Sequence, residues 1–449
     1  MTVGLGLFAA TVMATGLNVA LPTLVRAFGS EFAVVQWVIL SYFLTNVTLL
    51  PMIGRLADML GKRALFAWGM AIFAAGSLLC ALAPGVGWLI ALRVVQGVGS
   101  ALITALGLAI ITETFPREAR GRAIGIAGST LSAGIVVGPT LGGILLDALS
   151  WPWVFLMAVP IGTLGALATL LIVPRTPRKG RQRFDVAGAA VLFASLLALM
   201  LGLTLGQGRG FGDALVLGLL GTGTGLAALF VWLERRTPEP LIDLTIFKNS
   251  LFSIGLLSGF ATFVAISGTI FLMPFYLENI LGYPPRQVGI LMAIVPVVLV
   301  FVAPLSGTLS DRYGTRPITI FGLALILVGY LLIGTLDEET TALGYILRFL
   351  PLGLGMGTFQ TPNNSAIMGA VPRERLGVAS GLLSTTRTFG ATAGVAALGT
   401  LWAVRVSVWA EVPVGADATR APVHAQIAGL HDMMTVVQLM IFLALLLCL

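Results

Sequence analysis

Charge is what this 449-residue chain has least of: 10% of its residues are charged, against 57% hydrophobic. Soluble domains carry about 25% charged residues, so a soluble fold is excluded. Cysteine is nearly absent too. Cys80 and Cys448 both sit inside apolar runs, which rules out a disulfide framework. His424 and His431 fall in or beside a polar stretch, 403–430, that reads as a long outer loop; they are too sparse for a metal site and are expected to be solvated. No nucleotide-binding loop, catalytic triad or His/Cys/Asp cluster occurs, so direct ATP drive and the rival reading of a membrane-embedded enzyme lack the residues they need. The net charge of +7 would suit nucleic acid, but the basic residues lie in short loops between apolar runs, so no such partner is expected. No basic segment precedes the first apolar run, so a cleaved signal peptide is not expected. The chain starts and stops within apolar runs, as a clipped longer protein would.

What is present is apolar sequence in repeated lengths of roughly 20 residues, enough for one bilayer-spanning helix each. Runs near 3–25, 33–54, 64–84, 87–112, 122–146, 152–173, 186–206, 213–233, 250–277, 286–306, 316–335, 341–369, 376–402 and 431–449 give about fourteen spanners in an all-α polytopic membrane protein. With the amino terminus inside, only Arg26, Arg209, Arg286, Arg405 and Arg420 fall in outer loops, and every other loop Lys or Arg is cytoplasmic. The positive-inside rule therefore puts both termini in the cytoplasm, in the cell membrane.

Two charged stretches organise the chain. Gly54-Arg55-Leu56-Ala57-Asp58-Met59-Leu60-Gly61-Lys62-Arg63 is matched without a gap by Gly307-Thr308-Leu309-Ser310-Asp311-Arg312-Tyr313-Gly314-Thr315-Arg316. Each joins two apolar runs as a cytoplasmic hinge. Arg93 with Gly97 and Gly99 is echoed by Arg348 with Gly353, Gly355 and Gly357, and Pro116–Gly121 by Pro372–Gly377. A duplicated six-helix bundle with two inserted helices accounts for the spacing: 1–175, then a linker with the extra pair over 176–249, then 250–449. Two such halves are a known way to build a transporter.

Three further patterns carry chemistry. A charge at the centre of a spanner costs about 2.5–3.5 kcal/mol, so Arg93 is expected to face the bundle interior, with Gln96 on the same face; snorkelling to the outer interface is the alternative. Gly134, Gly138, Pro139, Gly142 and Gly143 place small residues and a bend in helix five, where close helix packing is also expected. Gly390, Gly394 and Gly399 answer in the second half, with Val395 in place of the proline.

In combination, the hinge, the Arg-x-x-Gln-Gly run and the Gly-Pro-x-x-Gly-Gly helix resemble the signature motifs of the major facilitator superfamily. Asn18-Val19-Ala20-Leu21-Pro22, Gln36-Trp37, Trp151-Pro152-Trp153-Val154-Phe155 and Pro160-Ile161-Gly162 resemble its fourteen-helix drug:proton antiporters. The resemblance implies rocker-switch export of small molecules driven by the proton gradient, with no cofactor. It also implies a cytoplasmic latch of Gly54, Asp58, Gly61, Lys62 and Arg63 with Glu113, echoed at Asp311 and Arg312.

One departure stands out. Where the subfamily carries an aspartate in helix one, this chain has Met13, and no Asp or Glu remains near the middle of a predicted spanner. Proton coupling would then fall to Arg93 with water, Gln96 lying on the same face, to Asp58 with Glu113, or to Glu278 at the outer end of helix nine. The missing acid favours neutral or amphiphilic substrates, and it also feeds the rival reading of an uncoupled facilitator or importer. Met13, Thr15, Asn18, Tyr42, Asn46, Gln360, Asn363 and Arg387 are the cavity candidates, each polar one equally able to serve as a helix–helix hydrogen bond. Arg387, deep in helix thirteen, is expected to face the cavity or to pair across the interface. The expected partners are a small apolar or amphiphilic substrate and the bilayer, around a monomer.

Overall fold

The computed structural model describes residues 2–114, 117–174, 186–236, 244–372, 376–413 and 417–449, without some side chains within its helices. The side chains of Gly54, Asp58 and Glu113 lie outside the described set, so the first latch does too. Among the described residues all regular structure is helical. Helices α1 (Thr2–Phe28), α2 (Phe32–Leu60), α3 (Lys62–Ala81), α4 (Val86–Thr114), α5 (Arg117–Ala148), α6 (Trp151–Leu156) and α7 (Ala158–Ile172) come first. Then follow α8 (Val186–Arg209) and α9 (Ala214–Arg236). The remainder are α10 (Ser250–Phe275), α11 (Pro285–Met292), α12 (Ile294–Tyr313), α13 (Thr315–Ile333), α14 (Ala342–Gly369), α15 (Leu376–Trp409) and α16 (Val423–Cys448).

Thirteen of the described helical stretches are long and apolar enough to cross a membrane, and Ala190–Gly206 in α8 is a shorter apolar one. This agrees with the expected number of spanners. Without water in the bilayer core, helices are one of two ways to satisfy every backbone group. The outward apolar surface is large, with Trp68, Phe301 and Leu171 at 64%, 71% and 84% exposure, as lipid-facing side chains are.

The hinges recur as backbone geometry. Gly61 has φ +94° and Gly314 φ +88°, a region that L side chains avoid and glycine tolerates. Each amide donates back into the preceding helix, Gly61 to the Ala57 carbonyl and Gly314 to that of Ser310, both at 2.9 Å. One helix thus stops and the next starts on a single residue.

The chain divides into two compact units, Met1–Phe193 with Pro284–Ile290, and Ala194–Tyr283 with Leu291–Leu449. Within the first, α1 packs on α5, α2 and α3 on α4, and α3 and α1 on α7. Within the second, α10 packs on α15, α12 and α13 on α14, and α13 and α10 on α16. The two packing schemes correspond helix for helix. Helices α8 and α9 pair separately, with Ser195 Oγ donating to the Gly223 carbonyl at 2.8 Å.

One stretch departs from the sequence reading. Helix α15 runs on to Trp409 and α16 begins at Val423, so the connection is shorter than 403–430, and His424 and His431 are helical. His431 is not a solvated loop residue: its Nε2 lies 2.7 Å from the Leu336 carbonyl. Its neighbour Asp432 is a carboxylate ten residues into a helix, contrary to the expectation of none. Polar residues at the start of α16 depress local hydropathy, which hid the helix start.

Candidate functional site

Helix α4 approaches its neighbours closely because glycines line it. A methyl at Gly97 would stand 2.9 Å from Thr45 Cβ on α2, and one at Gly76 of α3 would stand 2.8 Å from Gln96 Cα. Packed this tightly, α2, α3 and α4 enclose Arg93, which is only 1% exposed. Its Nε donates to the Val38 carbonyl at 2.9 Å and its Nη1 to Gln96 Oε1. Its guanidinium lies over the Tyr42 ring, 4.1 Å from the centroid, where the ring quadrupole attracts a cation.

The network continues outward from there. Gln96 Nε2 donates to Ser77 Oγ at 2.6 Å, and Ser77 Oγ to the Phe73 carbonyl at 2.7 Å. Tyr42 Oη donates to Ser100 Oγ at 2.5 Å, and Asn46 Nδ2 to the Tyr42 carbonyl at 2.9 Å. Among the described residues no carboxylate pairs with Arg93. An arginine keeps its proton in proteins, so this is a fixed positive charge held by dipoles and a ring. The structure thus brings Arg93, Gln96, Tyr42 and Asn46 together. The repeat does not preserve the burial: Arg348 is half-buried and donates to Thr335 Oγ1 at 3.0 Å and to the Gly344 carbonyl at 3.2 Å.

The glycine helix α5 meets α1 backbone to backbone. A methyl at Gly142 would stand 2.6 Å from the Gly16 carbonyl oxygen, and one at Gly134 would stand 2.9 Å from Thr11 Cβ. Gly138 abuts Thr15, whose Oγ1 donates to the Thr11 carbonyl at 2.9 Å and lies 3.4 Å from that of Gly134. Gly143 abuts Pro285 and Gly289, in the Pro284–Ile290 segment of the same unit, and Gly289 abuts Pro139. Met13 is fully buried in this region of α1, and Asn18 Nδ2 donates to its own helix, at the Ala14 and Thr15 carbonyls. In the second unit α10 and α15 meet the same way, Gly268 standing 2.9 Å, measured from an added methyl, from the Gly394 carbonyl.

Also in that unit, Arg387 Nη2 donates to Asn364 Oδ1 at 2.8 Å, and its guanidinium lies 5.5 Å from the centre of the Phe263 ring. Asn363 is a helix clamp, donating to the Gly255 carbonyl at 3.0 Å. Gln360 is half-buried on the same helix, α14. Glu278 lies in a single π-helical turn, Tyr276–Ile280, directly after α10. Asp311 and Arg312 are exposed at the second hinge, the latter over the Tyr313 ring. At the first, Arg63 donates to the Leu170 carbonyl of α7.

Sequence reasoning missed one cluster. Arg405 Nε and Trp409 Nε1 of α15 both donate to Asp432 Oδ2 of α16, each at 2.7 Å. The spacing of Arg405 and Trp409, four residues apart and on one helix face, was the available signal.

Comparison with known proteins agrees with this architecture. The sequence profile described as the Major Facilitator Superfamily matches residues 3–395. The chain is 34% identical to the multidrug resistance protein Stp of Mycobacterium tuberculosis over 410 residues, 91% of this chain and 76% of that one. It is 32% identical to the riboflavin transporter RibZ of Clostridioides difficile over 393 residues, 87% and 85% of the two chains. A crystal structure of a bacterial homolog of the human lysosomal transporter Spinster superimposes with a TM-score of 0.70 at 17% identity, covering 100% of this chain and 95% of that one.

Proposed function

We propose that this chain, which belongs to the Major Facilitator Superfamily and is an integral membrane transporter rather than an enzyme, exports amphiphilic small molecules in exchange for protons. The observation that carries the export reading is the joint between α1 and α5. There the Gly-Pro-x-x-Gly-Gly helix touches α1 through backbone atoms alone at Gly142 and Gly16. At that point no side chain stands between the two backbones, which suits alternating access, because the helices can tilt there without repacking rotamers. The multidrug name of a relative at 34% identity points the same way.

For coupling, the reading uses Arg93 as a fixed charge whose surroundings change when a nearby group gains a proton, with Asp58, Lys62 and Glu113 closing the inner side. Glu278 is the further acid available. The protein is read as a monomer in the cell membrane with both termini cytoplasmic, powered by the proton gradient and without a cofactor.

The test is efflux of a fluorescent drug from proteoliposomes under an imposed pH gradient. Export that reverses when the gradient reverses supports antiport. Movement indifferent to the gradient refutes it and leaves the second reading, an uncoupled facilitator or importer. That reading is favoured by one observation, the buried Met13 at a position where a proton-carrying acid would be expected.

A further inference from the structure

The charges inside the apolar spans are unbalanced in one direction. The described acids in those spans are Asp147, Glu234, Glu278, Asp311 and Asp432. The first four lie within three residues of a span's end, and Asp432 is taken up by Arg405 and Trp409. Three cations lie deeper with no carboxylate bonded to them among the described residues, Arg93, Arg348 and Arg387, and Arg348 is held by Thr335 and the Gly344 carbonyl. Arg93 is closed in by Val38, Gln96 and Tyr42.

Arg387 is different because it is unfinished. Of its five N–H donors, the only one engaged among the described residues is on Nη2, to Asn364. Its Nε is buried and has no hydrogen-bond partner among the described residues. The residue as a whole is half-buried, and a cation in a span faces the bundle interior or water rather than lipid. Helices α10, α14 and α15 converge on it through Phe263, Asn364 and its own backbone. Of the aromatic rings there, Phe263 is the one against the guanidinium; Phe260 and Phe389 form a separate tilted pair between α10 and α15, with ring centres 5.4 Å apart.

A buried donor left unpaired is costly, and a guanidinium fork fits a carboxylate with two parallel hydrogen bonds. We infer that the transported molecule carries an anionic oxygen group, a carboxylate or its equivalent, which docks on Arg387 beside Asn364 while its apolar part lies against Phe263. This rests on the transporter reading above and narrows it: among the described residues the one acid deep in a span, Asp432, is taken up by Arg405 and Trp409, and a cationic drug meets a like charge at this site.

The test uses two dyes with one xanthene skeleton, the carboxylate fluorescein and the cationic ester rhodamine 123. Their binding to the purified full chain is followed by fluorescence polarisation. Fluorescein should bind more tightly, and Arg387→Gln should weaken it roughly ten- to a hundredfold while leaving rhodamine unchanged or tighter. Arg387→Lys, which keeps the charge and loses the fork, should retain part of the preference, and serves if the glutamine variant does not fold. Asn364→Leu, which leaves the guanidinium unbraced, should lower fluorescein affinity alone. No preference for fluorescein, including no binding of it, overturns the inference, as does a preference indifferent to Arg387. Flux in proteoliposomes separates the two readings. Anion preference without pH-driven flux sinks the exporter and spares the site; pH-driven flux of rhodamine without anion preference does the reverse.

Discussion

Substituting Gly142 with Ala tests the α1–α5 joint directly. The added methyl would stand 2.6 Å from the Gly16 carbonyl oxygen, 3.1 Å from its Cα and 3.2 Å from its carbonyl carbon. All three are backbone atoms, so no rotamer change relieves the overlap. The helices must part by about an ångström to restore ordinary van der Waals separation, and overpacking of this kind costs about 1–3 kcal/mol. The control is Gly128→Ala on the same helix, where nothing lies within 4 Å. There alanine should be neutral or should stabilise by up to about 1 kcal/mol through helix propensity. With the half-buried Cys448 replaced by serine, the buried Cys80 provides the assay, since a thiol-reactive dye then reports it only as the protein opens on heating. Gly142→Ala should melt earlier than wild type and transport more slowly, and Gly128→Ala should do neither. Equal melting of the two variants would refute the claim that backbone contact sets this joint.

Three other outcomes are expected. Arg93→Met leaves the Val38 and Gln96 oxygens unpaired, at about 1–3 kcal/mol, and should abolish pH-driven flux; Arg93→Lys, with the charge but not the fork, should fall between in both melting and flux. Asp58→Asn should sharply reduce transport at unchanged membrane expression, measured by flux and immunoblot, and undiminished export would sink the latch. Asp432→Asn removes the charge that Arg405 pairs with while keeping the shape; it should lower thermal stability by about 1 kcal/mol, and a double-mutant cycle with Arg405→Gln should show the two losses to be non-additive.

What could be read from sequence, and what could not, follows from how far each feature reaches along the chain. The duplicated hinge was legible because its constraints are local: Gly61 and Gly314 must be glycine at φ near +90°, whatever surrounds them. The burial of Arg93 was legible because the cost of a charge in lipid is large and independent of its neighbours. The identity of its companions was only half legible. Gln96 is one turn away, but Val38 and Tyr42 come from another helix, and their approach depends on how far α2 is rotated. Asn364 as the partner of Arg387, and Asp432 as that of Arg405, lie on the neighbouring helix in the chain, and hydropathy says nothing of helix rotation. Asp432 was hidden further because the polar start of α16 reads as loop.

The segment Pro284–Ile290 belongs to the first unit although it follows α10, a helix of the second. Its Pro285 and Gly289 sit against Gly143 and Pro139. The first unit therefore receives its last piece about 120 residues after α7 has left the ribosome, a delay of roughly 6–24 s at ordinary rates of synthesis. Through that interval the seat around Pro139 and Gly143 stands empty in the membrane, open to lipid or to a chaperone. A truncation before residue 284 would leave it so permanently.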